Sequence, residues 1–341
     1  MRSLNQLDLT IESKNNYFKR PVVSICCTTY NHANYIRQAL DGFLMQETNF
    51  PFEIIVRDDA STDKTAEIIK EYEKKYPNII KPIYEKENTY SKGVKPSLVC
   101  FNKAMGDYIA LCEGDDYWTD PKKLQIQYEL LQNNDDINLS FHAHSKLYRD
   151  GSLKRSKLQN NSRKYTCYEM ITGDFFLAIT NTLFFRKSIL NKIDIRFFSK
   201  SPVGDIWFKI ASSIPQGAIY INRDMSVYRV ESIGSWTESM SDGDVFIDFV
   251  NKLQASINDF DKLWNYKYSK ELNIYLNKFI REIIRRVNIN HNSKKKYVNK
   301  NIKLISLKNK ILWLLLYKHE YIVKQIRVIK RKCKGLISIG G

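Results

Sequence analysis

The 341-residue chain has no run of about twenty apolar residues, and residues 1–20 (MRSLNQLDLTIESKNNYFKR) lack the continuous apolar core of a signal peptide. Both absences argue against a membrane-spanning segment and against secretion by that route, and they predict a cytoplasmic protein. Glycine loops that cradle phosphates are missing too. There is no GxxxxGK[ST], and no GxGxxG follows the first strand candidate, so P-loop and dinucleotide-binding chemistry is not expected. The six cysteines, Cys26, Cys27, Cys100, Cys112, Cys167 and Cys333, form no CxxC pair and no Cys/His ladder of zinc spacing. They read as reduced thiols, and those inside apolar runs as small hydrophobes. Ala60 stands where a DxDxT nucleophile motif needs its second acid, and Asp115, Asp116 and Asp120 miss the DDxxD spacing. Acids are scarce overall, 37 against 54 Lys and Arg.

That scarcity is local. Residues 291–341 hold fourteen Lys and Arg and one acid, Glu320, a charge of +13 out of a formal +17, which leaves +4 on residues 1–290. The body is nearly neutral and the basic character belongs to the tail. A nucleic-acid groove would interleave basic and aromatic residues along the body, so no nucleic-acid partner is expected. Hydrophobic residues at 43% are enough for a packed core despite a mean hydropathy of −0.42.

Strand and helix patterns alternate along the first 132 residues. Residues 22–30 (VVSICCTTY) read as a strand, and Ile36, Ala39, Leu40, Phe43 and Leu44 then mark one face of a helix. Residues 52–57 (FEIIVR) are a second strand ending in Asp58-Asp59, after which Ser61-Thr62 can cap a helix. Residues 79–84 form a third strand, which Pro82 either puts at an edge or makes short. Residues 97–105 read as helix, 107–112 as a fourth strand and 121–132 as helix. Further strand material lies at 139–148, 180–186 and 218–230, with helices at 203–214 and across 246–290. This alternation predicts βαβ units and a mainly parallel sheet, whose ligands sit beyond the carboxyl ends of the strands. Residues 28–31, Asp58-Asp59 and 113–116 then face one crevice.

The densest acidic stretch is EGDDYWTDP, residues 113–121, directly after the fourth strand. Carboxylates crowded at a strand end repel one another unless a cation or donors offset them, so a metal or phosphate site is expected there, with a solvated turn as the alternative. A carboxylate pair can hold Mg²⁺ or Mn²⁺ while diphosphate oxygens and waters complete the shell. His142 and His144 share one strand face, but without neighbouring ligands they read as core packing.

Five separated stretches resemble family-2 glycosyltransferases with a GT-A-type fold: CTTYNHANYIRQAL, FEIIVRDDASTDKT, MGDYIALCEGDDYWTDPKKLQIQ, VGDIW and VYRVESIGSW. The resemblance covers about residues 20–240. It implies an α/β, Rossmann-like, mainly parallel sheet flanked by helices, with a basic helical C-terminal extension. The implied organisation is an N-terminal extension at 1–20, a catalytic domain at 21–240 and a helical basic region at 241–341. Within the catalytic domain, 21–120 is the nucleotide-binding half and 121–240 the acceptor-binding half.

By the same resemblance, Thr28 and Tyr30 flank a nucleotide, and Asp58 and Asp59 meet the uracil and ribose of a UDP-sugar. Asp115 and Asp116 are the implied ligands of a divalent cation, Asp115 first, with Glu113 standing where relatives carry aspartate. Trp118 walls the pocket, and Thr180, Asn181 and Thr182 either lie near donor or acceptor or form an ordinary polar strand entry. Asp205 matches the general base of an inverting transfer, the alternative being a helix N-terminal acid. Many relatives carry histidine where this chain has Glu231; a glutamate can still ligate a hard cation, with Arg229 or the nucleotide-side Lys92 placed to offset its charge. The implied activity is transfer of a sugar to a glycan or lipid-linked acceptor in bacterial surface polysaccharide synthesis. A catalytically inactive binding protein on the same fold is the alternative that Glu231 raises.

The resemblance leaves out the tail. Residues 311–317 (ILWLLLY), flanked by lysines, suit an anionic membrane surface at the inner face of the cytoplasmic membrane. The alternative is a helical subdomain packed on the body or on a second subunit in a homo-oligomer.

Overall fold

The computed structural model describes residues 20–156, 160–174, 177–192, 197, 201–202, 204–230 and 236–317. Glu231 and residues 1–19 and 318–341, on which expectations were placed above, lie outside the described residues.

The N-terminal half is built as the apolar runs require. Strands β1 (Val23–Thr29), β2 (Phe52–Asp58), β3 (Ile80–Tyr84) and β4 (Tyr108–Glu113) pair in parallel in the order β3-β2-β1-β4. Nearly every residue of β1, β2 and β4 is buried, because both faces of a parallel sheet are covered. Helices α1 (Ile36–Leu44), α2 (Thr65–Lys75) and α3 (Pro96–Lys103) make the crossovers. Pro82 lies on the edge strand β3, where a missing amide costs least. Register sets the strand ends abreast: Thr28 pairs with Glu113 and Thr29 with Asp58.

Beyond β4 the sheet changes direction. The two-residue β5 (Tyr117–Trp118) and helix α4 (Lys123–Gln132) lead to β6 (Leu139–Leu147), which pairs with β7 (Leu153–Arg155), while β8 (Arg163–Tyr165) pairs with the last strand of the sheet, residues 218–229. Helix α5 (Cys167–Thr172) precedes β9 (Phe184–Arg186), which runs antiparallel to both β4 and β6 and joins the two halves. Residues 180–182, expected as the start of that strand, instead form a single 3₁₀ turn. Helix α6 (Asp205–Ser213) and β10 (Ala218–Arg229) complete the sheet, β10 pairing with β6 and with β5.

Helix α2 starts at Thr65, and Ser61 and Thr62 do not cap it. Their polar groups cross-link two loops instead, Ser61 Oγ accepting from Asn31 N at 2.9 Å and Thr62 N donating to Asn31 Oδ1 at 2.8 Å. His142 and His144 are fully buried in β6. Five cysteines, Cys26, Cys27, Cys100, Cys112 and Cys167, are free thiols.

The C-terminal helices α7 (Gly243–Leu263), α8 (Ser269–Arg285), α9 (His291–Lys300) and α10 (residues 307–317) follow. Apolar residues of α7 and α8 join the core on one side of the sheet without a break, Phe249, Leu253, Leu276 and Ile280 being continuous with Phe141, Phe185 and Trp207. No helix among the described residues is long and apolar enough to cross a membrane.

Candidate active site

Because β1, β2 and β4 run in parallel, their carboxyl ends open on one side, and the 3₁₀ turn at 180–182 and the start of α6 close over it. The result is a crevice of about 550 Å³, in the range usual for small-molecule sites. Thr28, Tyr30, Asp59, Glu113, Asp115, Asp116, Thr180 and Asp205 all line it, although they are scattered over nearly 180 residues of sequence.

At the β2 end, Asp59 accepts four hydrogen bonds: from Arg57 Nη2 at 2.7 Å, from Thr89 N and Oγ1 at 2.9 Å each, and from Tyr90 N at 2.9 Å. Burial pushes its pKa up, yet the Thr89 and Tyr90 bonds outweigh burial and hold the carboxyl below its ordinary value. Arg57 is fully buried and also pairs with Glu85 at 3.0 Å. Asp58 is absent from the lining; it accepts from Ser61 N at 3.1 Å and shapes the loop in which Ala60 takes a φ of 58°.

The acidic turn is held from several sides. Asp116 is buried, with Oδ2 accepting from Asn181 Nδ2 and Oδ1 from Arg229 N, both at 2.9 Å. The Arg229 guanidinium donates to the Asp115 carbonyl and to Gln38 Oε1, and lies over the Tyr35 and Tyr117 rings at 4.9 and 4.7 Å. Gly114 is required by close approach, since a Cβ there would sit 2.8 Å from Thr29 Cβ and 3.0 Å from His32 Nδ1. Burial, then Asp115 and Asp205, push the Glu113 carboxyl up to about 8, and burial with Asp115 and Glu113 raises Asp116 well above its ordinary value. Three mutually repelling carboxylates in one turn, Asp116 buried and Glu113 and Asp115 half-buried, fit a hard divalent cation. Among the described residues no three His, Cys, Asp or Glu side chains gather as a ready-made metal cage. A cation here would therefore draw most of its ligands from phosphate oxygens and water.

Across the crevice, Asp205 opens α6. Its Oδ1 accepts from Ile206 N at 2.8 Å and its Oδ2 from Thr180 Oγ1 at 3.2 Å. Burial raises its pKa, opposed by the Ile206 amide, by Lys209 one turn along, and by Thr180. Lys209 is driven down to about 8 by burial, against the pull of Asp205.

Five expected residues are placed elsewhere. Trp118 is 2% exposed inside the core, edge-on to Phe43 at 4.8 Å, because Lys123 Nζ covers its ring at 4.0 Å and its Nε1 is spent on the Asn181 carbonyl at 3.1 Å. Asn181 and Thr182 are fully buried behind Thr180, Thr182 Oγ1 donating to the Ile179 carbonyl at 2.7 Å. Lys92 is on the exterior, paired with Glu87 at 2.6 Å. Asp58 faces its own loop. Conversely, His32, Arg57, Tyr90, Lys95 and Lys209 line the crevice without having been singled out. His32 and Arg57 adjoin strand ends and could have been found by that rule; Tyr90 opens a 3₁₀ turn and Lys95 stands at the N-cap of α3, in a stretch with no motif.

The profile of glycosyl transferase family 2 matches residues 24–194, half of the sequence. An uncharacterized protein of Mycobacterium tuberculosis is 33% identical over 221 residues, 64% of this chain and 62% of that protein, so the match spans less than two thirds of the relative's length. Among solved structures, Staphylococcus aureus TarS residues 1–349 in complex with UDP superposes with a TM-score of 0.54 at 16% identity, over 88% of this chain and 91% of that one. The Pyrobaculum calidifontis mannosyltransferase PcManGT in complex with GDP-Man and Mn²⁺ gives 0.50 at 16% identity, over 92% and 84%. These two likenesses concern the fold. The chain belongs to glycosyl transferase family 2 and carries its GT-A architecture.

Proposed function

We propose that this chain is an inverting glycosyltransferase that moves a sugar from a UDP-sugar to a hydroxyl of a glycan or lipid-linked acceptor in surface polysaccharide synthesis, with Mn²⁺ or Mg²⁺ at Asp115. The observation that carries the reading is Asp205: a half-buried carboxylate of raised pKa, fixed by Thr180, opposite a strand-end acidic turn in the same crevice. Family membership supports the reaction class, the UDP of TarS supports the donor type, and the Mn²⁺ of PcManGT supports the cation.

In this reading Thr28, Tyr30 and Asp59 hold the nucleoside end, with Arg57 keeping Asp59 charged and oriented. Asp115 is the cation ligand. Asp116, whose two oxygens already accept hydrogen bonds, fixes the turn and adds negative charge beneath it. When bound, the cation supplies positive charge against the negative charge that gathers on the leaving diphosphate. Asp205 takes the proton of the acceptor hydroxyl as that oxygen bonds to the anomeric carbon. The bond from that carbon to the diphosphate oxygen breaks, and its electron pair leaves with UDP.

Release of UDP from a panel of UDP-sugars with Mn²⁺ tests this directly. Asp205→Asn should lose roughly 10²–10⁴-fold in turnover while binding UDP normally. Equal rates in the two proteins would remove Asp205 as base, and UDP binding without release from any donor would favour a binding protein.

A further inference from the structure

Helix α10 is amphipathic in the wrong sense for a surface helix. Its inward side is Asn309, fully buried and donating to the Asn277 carbonyl at 2.7 Å, and Trp313, stacked on His291 with centroids 5.6 Å apart. At 100° per residue, Leu307, Ile311, Leu314 and Leu315 fall together on the opposite side. They are 74%, 50%, 54% and 64% exposed. Single exposed aliphatics need no explanation, but four along one stripe mark a surface made to be covered.

The surroundings restrict what can cover it. Residues 291–317 contain seven lysines and no Asp or Glu. Lys295, Lys296, Lys300, Lys303 and Lys308 are exposed on α9, on α10 and on the turn between them. A second copy docking through this segment would bring two sets of five exposed lysines together with no Asp or Glu of residues 291–317 to offset them. An aliphatic stripe within a one-signed cationic field matches the boundary of an anionic bilayer, which offers an apolar layer under negative headgroups.

We propose that the α10 stripe is a membrane-docking face that takes an anionic phospholipid surface, with Leu307, Ile311, Leu314 and Leu315 entering the acyl boundary and the surrounding lysines meeting headgroup phosphates. The inference stands on the C-terminal surface alone and does not depend on the catalytic reading. If both hold, the enzyme meets a lipid-linked acceptor where that acceptor resides.

The test is flotation of the full-length protein, without substrates, on phosphatidylcholine vesicles with or without about one third phosphatidylglycerol. The comparison is with Leu314→Gln/Leu315→Gln, which leaves the charge unchanged. Wild type should partition onto anionic vesicles and not onto neutral ones, and the variant should lose about tenfold in partition with an unchanged Tm and mass in solution. Failure of wild type to float, equal binding to neutral vesicles, or equal flotation of the two proteins would overturn the proposal. A dimer of the wild type that becomes a monomer in the variant would also overturn it, by assigning the stripe to a second copy.

Discussion

Asp205 shows how one carboxylate is tuned by what lies within a few ångströms. Burial raises its pKa, while Lys209 and the Thr180 hydroxyl pull it back by favouring the ionised form. As a base Asp205 acts only when ionised, so the acidic limb of the kcat/KM profile reports this balance. Replacing Lys209 by Met removes a charge that favours ionisation, so the limb should move to higher pH with activity recovered on the alkaline side. Thr180→Val should shift it in the same direction and Thr180→Ser should restore it. A loss of activity uniform across pH would mean that these residues act on folding and not on the base. Asp205 itself is visible in sequence as a Gly-Asp helix start. Lys209 follows from the predicted helix over 203–214 as the i+4 neighbour of Asp205, but that it lines the crevice is decided only by the fold.

Asn181 joins three elements. Its side chain donates to Asp116 Oδ2 and to the Val227 carbonyl at 3.1 Å and accepts from Ser226 Oγ at 3.1 Å, while its carbonyl receives Trp118 Nε1. The acidic turn after β4 is thereby tied to β5 and β10. Asn181→Ala would orphan buried groups at Asp116 and Val227, each worth roughly 1–3 kcal/mol. The expected result is a lowered Tm together with weaker Mn²⁺-dependent UDP binding, read by calorimetry; normal nucleotide affinity would place Asn181 outside the support of the site. The strands and crossovers of the first half could be read from periodicity, since apolar runs of five to seven residues alternated with amphipathic stripes. The 180–182 turn could not, because its polar residues resemble a strand entry until β10 supplies their partners.

The C-terminal helices share one apolar core with the sheet, and a single cooperative unfolding transition is the expected consequence. Phe260 of α7 stacks on Trp207 of α6 at 4.8 Å with planes 29° apart, two residues from Asp205. Phe260→Ala should cost about 3–5 kcal/mol, lower the single unfolding transition and reduce turnover together, as measured by calorimetry and UDP release. A second, separate transition in the variant would show that the helices fold apart from the sheet. The charge imbalance in sequence located the basic region and suited an anionic membrane surface, but it left the body or a second subunit open as the alternative neighbour. Packing separates these roles along the region: α7 and α8 complete the core, and α10 turns its aliphatic stripe outward.

Local patterns in this chain suffice for the parallel half-sheet, its third strand β3 and the set of strand ends that face one crevice, because period and turn residues act over a few neighbours. They also mark Asp59 and Asp115 as strand-end candidates, whereas Asp205 is a candidate only through the resemblance to family-2 glycosyltransferases. Which polar residues reach the crevice and which are spent holding it is a long-range matter. Trp118 and Asp116 lie in the same acidic stretch as Asp115, and Asn181 in a separate polar one, but their hydrogen-bond partners come from β10 and from the turn before β9, 46 to 113 residues away in sequence. A donor or acceptor buried by such distant elements must be satisfied by them, and no window of local sequence contains that pairing.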